Sequence, residues 1–259
     1  MSLAKKELIR EAFSTQLPSL IGTIARKVEK QSRNTLNAHE ITELTQLLLS
    51  DQDGAFEQTI ATLKAHGTPI NYIVLELVPQ IAKELGKKWE EDELSFAEVS
   101  IGVNRLERVI YRLDYLFQAN QLDRQKNKSI FITVCPGSQH TLGTLILSNF
   151  FIFKGWQVYR PYEARIESII HGIQVRAHQA LAISVSSNDQ LEKLPDLIQL
   201  LKEKSQNPEI IVLLGGPLYN KSPEAFHHIQ VDVKAFTPEE SAQKLEQCLS
   251  NLEKASLNV

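Results

Sequence analysis

Apolar positions recur with a helical period from residue 40 to residue 117. Ile41, Leu44, Leu47 and Leu48 mark one amphipathic helix, and Phe56, Ile60 and Leu63 mark a second. A third is expected from about Asn71 to Leu85, with Ile73, Leu77, Ile81 and Leu85 on one face. Gly86 stands where that helix should stop, and Pro79 inside it should force a kink or an irregular turn. The fourth pattern is the clearest. Phe96, Val99, Val103, Leu106, Ile110, Leu113 and Phe117 step by threes and fours, as the seam of a helical bundle does.

The polar run Asn120 to Lys128 (NQLDRQKNK) ends this pattern, and the period changes beyond it. Short apolar runs then alternate with amphipathic helices five times, the last helix running from Pro238 to Leu252. Alternation of this kind predicts an α/β fold: an N-terminal helical bundle followed by a flavodoxin-like five-stranded parallel sheet, ordered 2-1-3-4-5. Three segments follow: an arm over residues 1–35, the bundle over 36–119 and the sheet domain over 128–254.

The candidate chemistry sits at the start of the sheet domain. Ile130 to Val134 reads as a strand and ends in a Cys-Pro-Gly turn. His140 follows, and then Leu142, Leu145, Ile146, Phe150 and Phe153 at helical spacing, with Gly155 as the stop and Trp156 to Tyr159 as the next strand. His140 thus occupies the loop leaving the first strand of a βαβ unit, where open α/β sheets bind ligands. An imidazole on such a loop is free to hold a metal. The third strand ends in Ser184-Val185-Ser186, and the fourth, Ile210 to Leu214, runs into Gly215-Gly216-Pro217. At that pair the missing side chains would let a ligand lie against the backbone.

Composition narrows the picture. The chain has 259 residues, enough for two modest cores, and a net charge of −3. That sign argues against wrapping nucleic acid. Residues 1–35 are locally basic, with seven Lys or Arg against three Glu. Within them Ile9, Phe13, Leu17, Leu20 and Ile21 offer one helical stripe, too little for a winged or helix-turn-helix domain. Little or no direct DNA binding is therefore expected. No apolar run is long enough to span a bilayer and no signal-peptide pattern is present, so a cytoplasmic location is expected. Two cysteines, Cys135 and Cys248, make no disulfide framework.

Ser138-Gln139-His140-Thr141-Leu142-Gly143 fits the D-x-H-x-x-G pattern of cobalamin-binding domains except at its first residue. With the Ser184 and Ser186 serines and the Gly215-Gly216 pair, three landmarks stand in that family's order. The resemblance implies cobalamin (adenosyl- or hydroxo-/aquo-) with His140 as the lower cobalt ligand. The cofactor's displaced base would thread past Ser184, Ser186 and the Gly215-Gly216-Pro217 turn, with Ser138, Gln139, Thr141, Leu142 and Gly143 also at the cofactor, and the helical bundle would cap the upper cofactor face. Leu85 to Glu107 (LGKKWEEDELSFAEVSIGVNRLE) and Pro136 to Gly143 (PGSQHTLG) further resemble the AerR and PpaA antirepressors of bacterial photosynthesis genes. They are also similar to the haem-binding SCHIC domains. That resemblance implies a light- or redox-responsive sensor without enzymatic activity, acting through a DNA-binding transcriptional repressor (PpsR/CrtJ-like). A second copy of the chain stays open as a further partner.

Two departures bear on the subfamily. Corrinoid methyl carriers place an aspartate two residues before the histidine, where it tunes the metal ligand; this chain has Ser138. Light-sensing cobalamin regulators have Trp, nine residues, then Glu-His, whereas Trp89 here is followed after eight residues by Glu98-Val99. Valine cannot ligate cobalt, so no upper ligand comes from that position. Trp89 is read either as a core anchor or as facing the cofactor, and Glu98 as solvated or as part of the site. His39 and His66 belong to helix ends, and His171, His178, His227 and His228 are expected at the surface. Haem is the rival ligand, since Cys135-Pro136 is a dipeptide of the kind found at regulatory haem sites. A corrinoid carrier for a methyltransferase and an interaction module that has lost its cofactor are the remaining alternatives.

Overall fold

The computed structural model describes residues 36–50, 54–119 and 128–257. The basic arm and the polar run over 120–127 lie outside them, as does the side chain of Phe117. The chain divides into two units, residues 1–116 and 117–259.

In the first unit α1 (Ala38–Leu49) opens with a capping box. Asn37 Oδ1 accepts from the Glu40 amide at 2.9 Å, and Glu40 Oε2 accepts from the Asn37 amide at 2.8 Å. After α2 (Ala55–Ala65) the chain makes one helical turn, Ile70–Tyr72, then a wider π-helical turn, Ile73–Leu77, and then α3 (Val78–Glu90). This wider turn is the irregularity that Pro79 requires. An ordinary helix would press the Pro79 ring onto the Leu75 carbonyl and demand an N–H that proline lacks.

Gly86 does not stop the helix. It continues four residues further, and Asp92 makes the reversal with a left-handed φ of 58°. The amides of Glu93 and Leu94 both return to the Lys88 carbonyl, at 2.9 and 3.2 Å. The good helix formers Lys87 and Lys88 carry the helix past a glycine that alone costs only about 1 kcal/mol.

α4 (Phe96–Ala119) packs on the others through Leu106, Val109, Ile110 and Leu113, all buried with Leu44, Leu48, Ile60, Leu77 and Ile81. Gly102 allows a close approach, since a Cβ there would lie 2.9 Å from Leu85 Cδ1. The Arg105 guanidinium donates to the carbonyls of Leu48 and Ser50, satisfying the end of α1. The first turn of the expected seam departs from the pattern: Phe96 is 77% exposed and Val99 only half-buried.

The second unit is a parallel sheet of β1 (Ser129–Val134), β2 (Gln157–Tyr159), β3 (Ala180–Ser184), β4 (Ile211–Gly215) and β5 (Val233–Lys234). Its order is β2-β1-β3-β4-β5, the order the alternating pattern predicts. Residues 129–134 are buried throughout, as are the first four residues of β3 and of β4, so these strands read as continuous apolar runs. Between them lie α5 (Leu142–Phe153), α6 (Ile166–Gln174), α7 (Leu194–Lys204) and the short α8 (Pro217–Lys221), with α9 (Pro238–Leu257) last. Gly155, at φ 87°, ends α5 as expected. Phe153 is exposed, and Phe151 and Ile152 take the buried positions instead.

His178 is a correction. It is 1% exposed, not at the surface, with its ring 5.5 Å from that of Phe131 and 5.0 Å from that of Tyr159. It lies just ahead of β3, where the chain turns in under the sheet. Burial holds its pKa below the ordinary imidazole value. Among the described residues no helix is long and apolar enough to cross a membrane.

Candidate functional site

Three loops leave the sheet from a single row. Val134 is opposite Ser184, and Ser184 is opposite Gly215, so β1, β3 and β4 end level with one another. The sheet order reverses between β1 and β3, which is where a crevice opens in such folds.

The β1 loop is held at both sides. The Cys135 amide donates to the Ser184 carbonyl at 3.2 Å, and the Gly137 amide donates to the Ala164 carbonyl at 2.8 Å. Gly137 has φ 80°, a conformation that suits glycine, and the Ser138 amide returns to the Cys135 carbonyl at 3.0 Å. This tight turn lifts Gln139 and His140 into solvent immediately before α5, with Thr141 at its N-cap. Leu142 is half-buried and Gly143 exposed. A Cβ at Gly143 would meet no protein atom within 4 Å, so the surface above it is open.

The β3 loop is joined to this one through its serines. Ser138 Oγ and Ser186 Oγ are 3.1 Å apart, and the His140 amide donates to Ser138 Oγ at 3.3 Å. Gln190, in the turn Asn188–Gln190, holds Ser186 from behind. Its Oε1 accepts from the Ser186 amide at 2.9 Å, and its Nε2 donates to Ser186 Oγ at 3.2 Å. A relay thus runs from Gln190 through Ser186 and Ser138 to the backbone of His140. Gln190 was not anticipated, because a glutamine four residues after a serine carries no signal of its own.

The glycine pair plays a different part from the one expected. Gly216 has φ 110°, and a Cβ there would stand 2.6 Å from both Ser184 Oγ and the Val185 carbonyl. A Cβ at Gly215 would lie 2.9 Å from the Ala235 carbonyl. Both positions are therefore filled by the protein's own chain. The β4 loop docks on the β3 loop through Val185 N to Gly215 O at 2.9 Å and Leu218 N to Val185 O at 3.1 Å. Pro217 is exposed at the first turn of α8. Close approach of chain to chain explains the glycines, and close approach of a ligand is not needed for them.

Trp89 and Glu98 belong to the first unit. Trp89 is 52% exposed, which overturns the core-anchor reading. Glu98 closes a capping box at the start of α4. Its Oε2 accepts from the Ser95 amide at 2.9 Å and from Ser95 Oγ at 2.8 Å, and these bonds hold its carboxyl below the usual range. The S-x-x-E spacing of Ser95 to Glu98 was the signal for it.

The donor set tests which group fits. Among the described residues no cluster of three or more His, Cys, Asp or Glu could hold a bare ion. A structural or catalytic ion usually takes three or four protein ligands. One exposed imidazole suits a metal whose equatorial positions a macrocycle already fills. The open surface over Gly143 and the hydroxyls of Ser138 and Ser186 leave room and polar partners beside it. Cys135 does not suit iron. It is 3% exposed, and burial, with Asp189 adding to it, pushes its thiol up to about 12. A sulfur buried in this way offers no face to a macrocycle.

The fold is shared with a solved structure. Over 83% of this chain and 99% of its own, the structure of Methanosarcina barkeri monomethylamine corrinoid protein superposes with a TM-score of 0.63 at 16% identity. A novel cobalamin-binding protein from Desulfitobacterium hafniense DCB-2 gives a TM-score of 0.40 at 15% identity, covering 81% of this chain and 97% of that one. In sequence, an uncharacterized 20.5 kDa protein in the bchF-crtJ intergenic region of Rhodobacter capsulatus is 25% identical over 170 residues, 66% of this chain and 88% of that protein. Residues 128–245 match the B12 binding domain model. The matched segment is the sheet unit that lifts His140 from its topological switch point, so the likeness to B12-binding domains falls on the loops described above.

Proposed function

We propose that the chain is a cobalamin-binding regulatory sensor, with His140 as the lower cobalt ligand, that controls transcription through a DNA-binding repressor. The observation that carries the cofactor reading is the single exposed imidazole at the end of β1, inside a segment that matches the B12 binding domain. When bound, the cofactor supplies a cobalt centre responsive to light or redox state. The chain supplies one axial ligand and the Gln190–Ser186–Ser138 relay that fixes the ligand's loop.

The regulatory half rests on two supports. Ser138 puts a neutral hydroxyl where corrinoid carriers keep a carboxylate, removing a proton control that a centre cycling between oxidation states uses. The relative in the bchF-crtJ intergenic region lies beside crtJ, whose name is that of the CrtJ-like repressors implied by the antirepressor resemblance. In this reading the chain binds and signals, and turns over no substrate.

Spectra provide the test. Purified protein is titrated with hydroxocobalamin and, separately, with haemin. Band shifts at near-equal stoichiometry with hydroxocobalamin alone are expected, in the base-off, histidine-bound form. His140→Ala should abolish that form and weaken binding by about 100-fold or more, the scale on which metal-ligand sets are felt. A haemin shift without a cobalamin shift would reverse the ligand assignment. Recovery of methyltransferase subunits alone in pull-downs would replace the sensor with a corrinoid carrier.

A further inference from the structure

The β1 loop has a neighbour on each side. The β3 loop, with its serines, flanks it toward the middle of the sheet; the β2 loop, residues 160–165, flanks it toward the edge. β2 ends early, its last residue Tyr159 level with Phe131. The chain then climbs beside the rest of β1 until the Ala164 carbonyl accepts from the Gly137 amide at 2.8 Å. Within this loop Tyr162 is 97% exposed.

The loop is tied on both sides of Tyr162. Pro161 restricts the backbone on one side, and on the other Glu163 is paired with Arg165, which holds its carboxyl below the usual range. A tyrosine brings a large apolar face and a polar tip at the entropic cost of two torsions, which is why binding surfaces favour it. Core packing does not explain this one, since it has almost no cover.

Building on the cofactor reading above, we infer that Tyr162 is a ligand-contact residue that grips the amide-bearing edge of the corrin ring. Neighbouring strands are about 4.8 Å apart, so the β2 loop starts one strand spacing from the loop that carries His140. A corrin macrocycle held by His140 would be wider than that spacing and would reach the β2 side. Its rim carries acetamide and propionamide groups. The ring of Tyr162 packs against their methylenes, and its hydroxyl hydrogen-bonds an amide. The contact is to the ring and not to the nucleotide tail, which the serine and glycine loops flank on the other side of His140.

Cobinamide, a corrinoid without the tail, separates these parts. Wild-type chain and Tyr162→Ala are titrated with hydroxocobalamin and with diaquacobinamide, reading affinity and the histidine-bound spectrum. The expected result is a loss of about tenfold in affinity for both corrinoids by the same factor, with the histidine-bound bands unchanged. The exposed position leaves the fold intact, which far-UV circular dichroism checks. Wild-type affinity in Tyr162→Ala would overturn the contact, and so would a loss confined to hydroxocobalamin. If the wild-type chain takes up neither corrinoid, the cofactor reading fails first and this contact falls with it.

Discussion

Glycines at this site divide by what surrounds them. A side chain at Gly216 would meet Ser184 and the Val185 backbone at 2.6 Å, and its φ of 110° adds strain. Gly216→Val should therefore lower stability by several kcal/mol, on the scale of overpacking plus backbone strain, and lose cofactor binding only as a consequence. Gly143→Val is the clean probe, because its Cβ meets nothing. That variant should keep the wild-type urea midpoint within about 0.5 M while losing cobalamin affinity; unchanged affinity would put the ligand elsewhere. His178 gives a prediction of the opposite kind, confined to stability. Its pKa is lowered in the fold from an ordinary 6.5, so its contribution is present above that value and is lost as pH falls through it. His178→Phe should make the urea midpoint fall less between about pH 7.5 and 5 than it does in wild type. His140 could be found from sequence because a strand, a tight turn and a helix all lie within a few residues of it. The surroundings of Gly216 and His178 are made by β3 and by Phe131 and Tyr159, distant in the chain, and no local pattern reports them.

At the level of elements, period and punctuation fared differently. The apolar periods placed the helices and the three central strands, because β1, β3 and β4 are covered on both faces and read as apolar runs, whereas the edge strands β2 and β5 are short and partly polar. Punctuation held where the residue had no alternative, as at Gly155 with its positive φ, and at Pro79, where the wider turn relieves the ring. It failed at Gly86, which sits comfortably in a helix, while a non-glycine, Asp92, made the turn. The capping box of α4 is written in the sequence as Ser95 and Glu98, and it is a third role for Glu98 beside the solvated and the cofactor-facing readings. The cap and cofactor roles separate by experiment. Ser95→Ala should destabilise the helical unit by about 1 kcal/mol, read by urea unfolding, and leave the cobalamin spectrum unchanged. Glu98→Gln weakens the same cap, since the bonds from Ser95 favour the carboxylate and hold its pKa below the ordinary 4.5, so that the group stays charged as pH falls through that value. A shifted cobalamin band in Glu98→Gln, with none in Ser95→Ala, would assign the carboxylate to the cofactor as well as to the helix.

Charge is distributed unevenly over the whole molecule. The chain carries −3 in total, and the +4 of residues 1–35 leaves −7 on the remainder. An acidic body repels phosphate, so direct DNA binding would have to come from the arm alone, and non-specific contact of that kind fades steeply with salt. A short basic segment is better suited to steer a protein partner, where rim charges set the association rate and its salt dependence. Under the proposed function, a complex with a repressor should form in two parts, with specificity from exposed apolar residues such as Trp89 and Phe96 and attraction from the arm. Deleting residues 1–30 should weaken the complex by about tenfold, mostly through slower association, and flatten its dependence on ionic strength. Cobalamin uptake should be unaffected, because the B12-binding segment begins at residue 128. Surface plasmon resonance against the immobilised repressor, with and without bound cobalamin, measures both rates. Sequence-specific promoter binding by the isolated chain at physiological salt would refute this division of labour, as would an arm deletion that leaves the association rate unchanged.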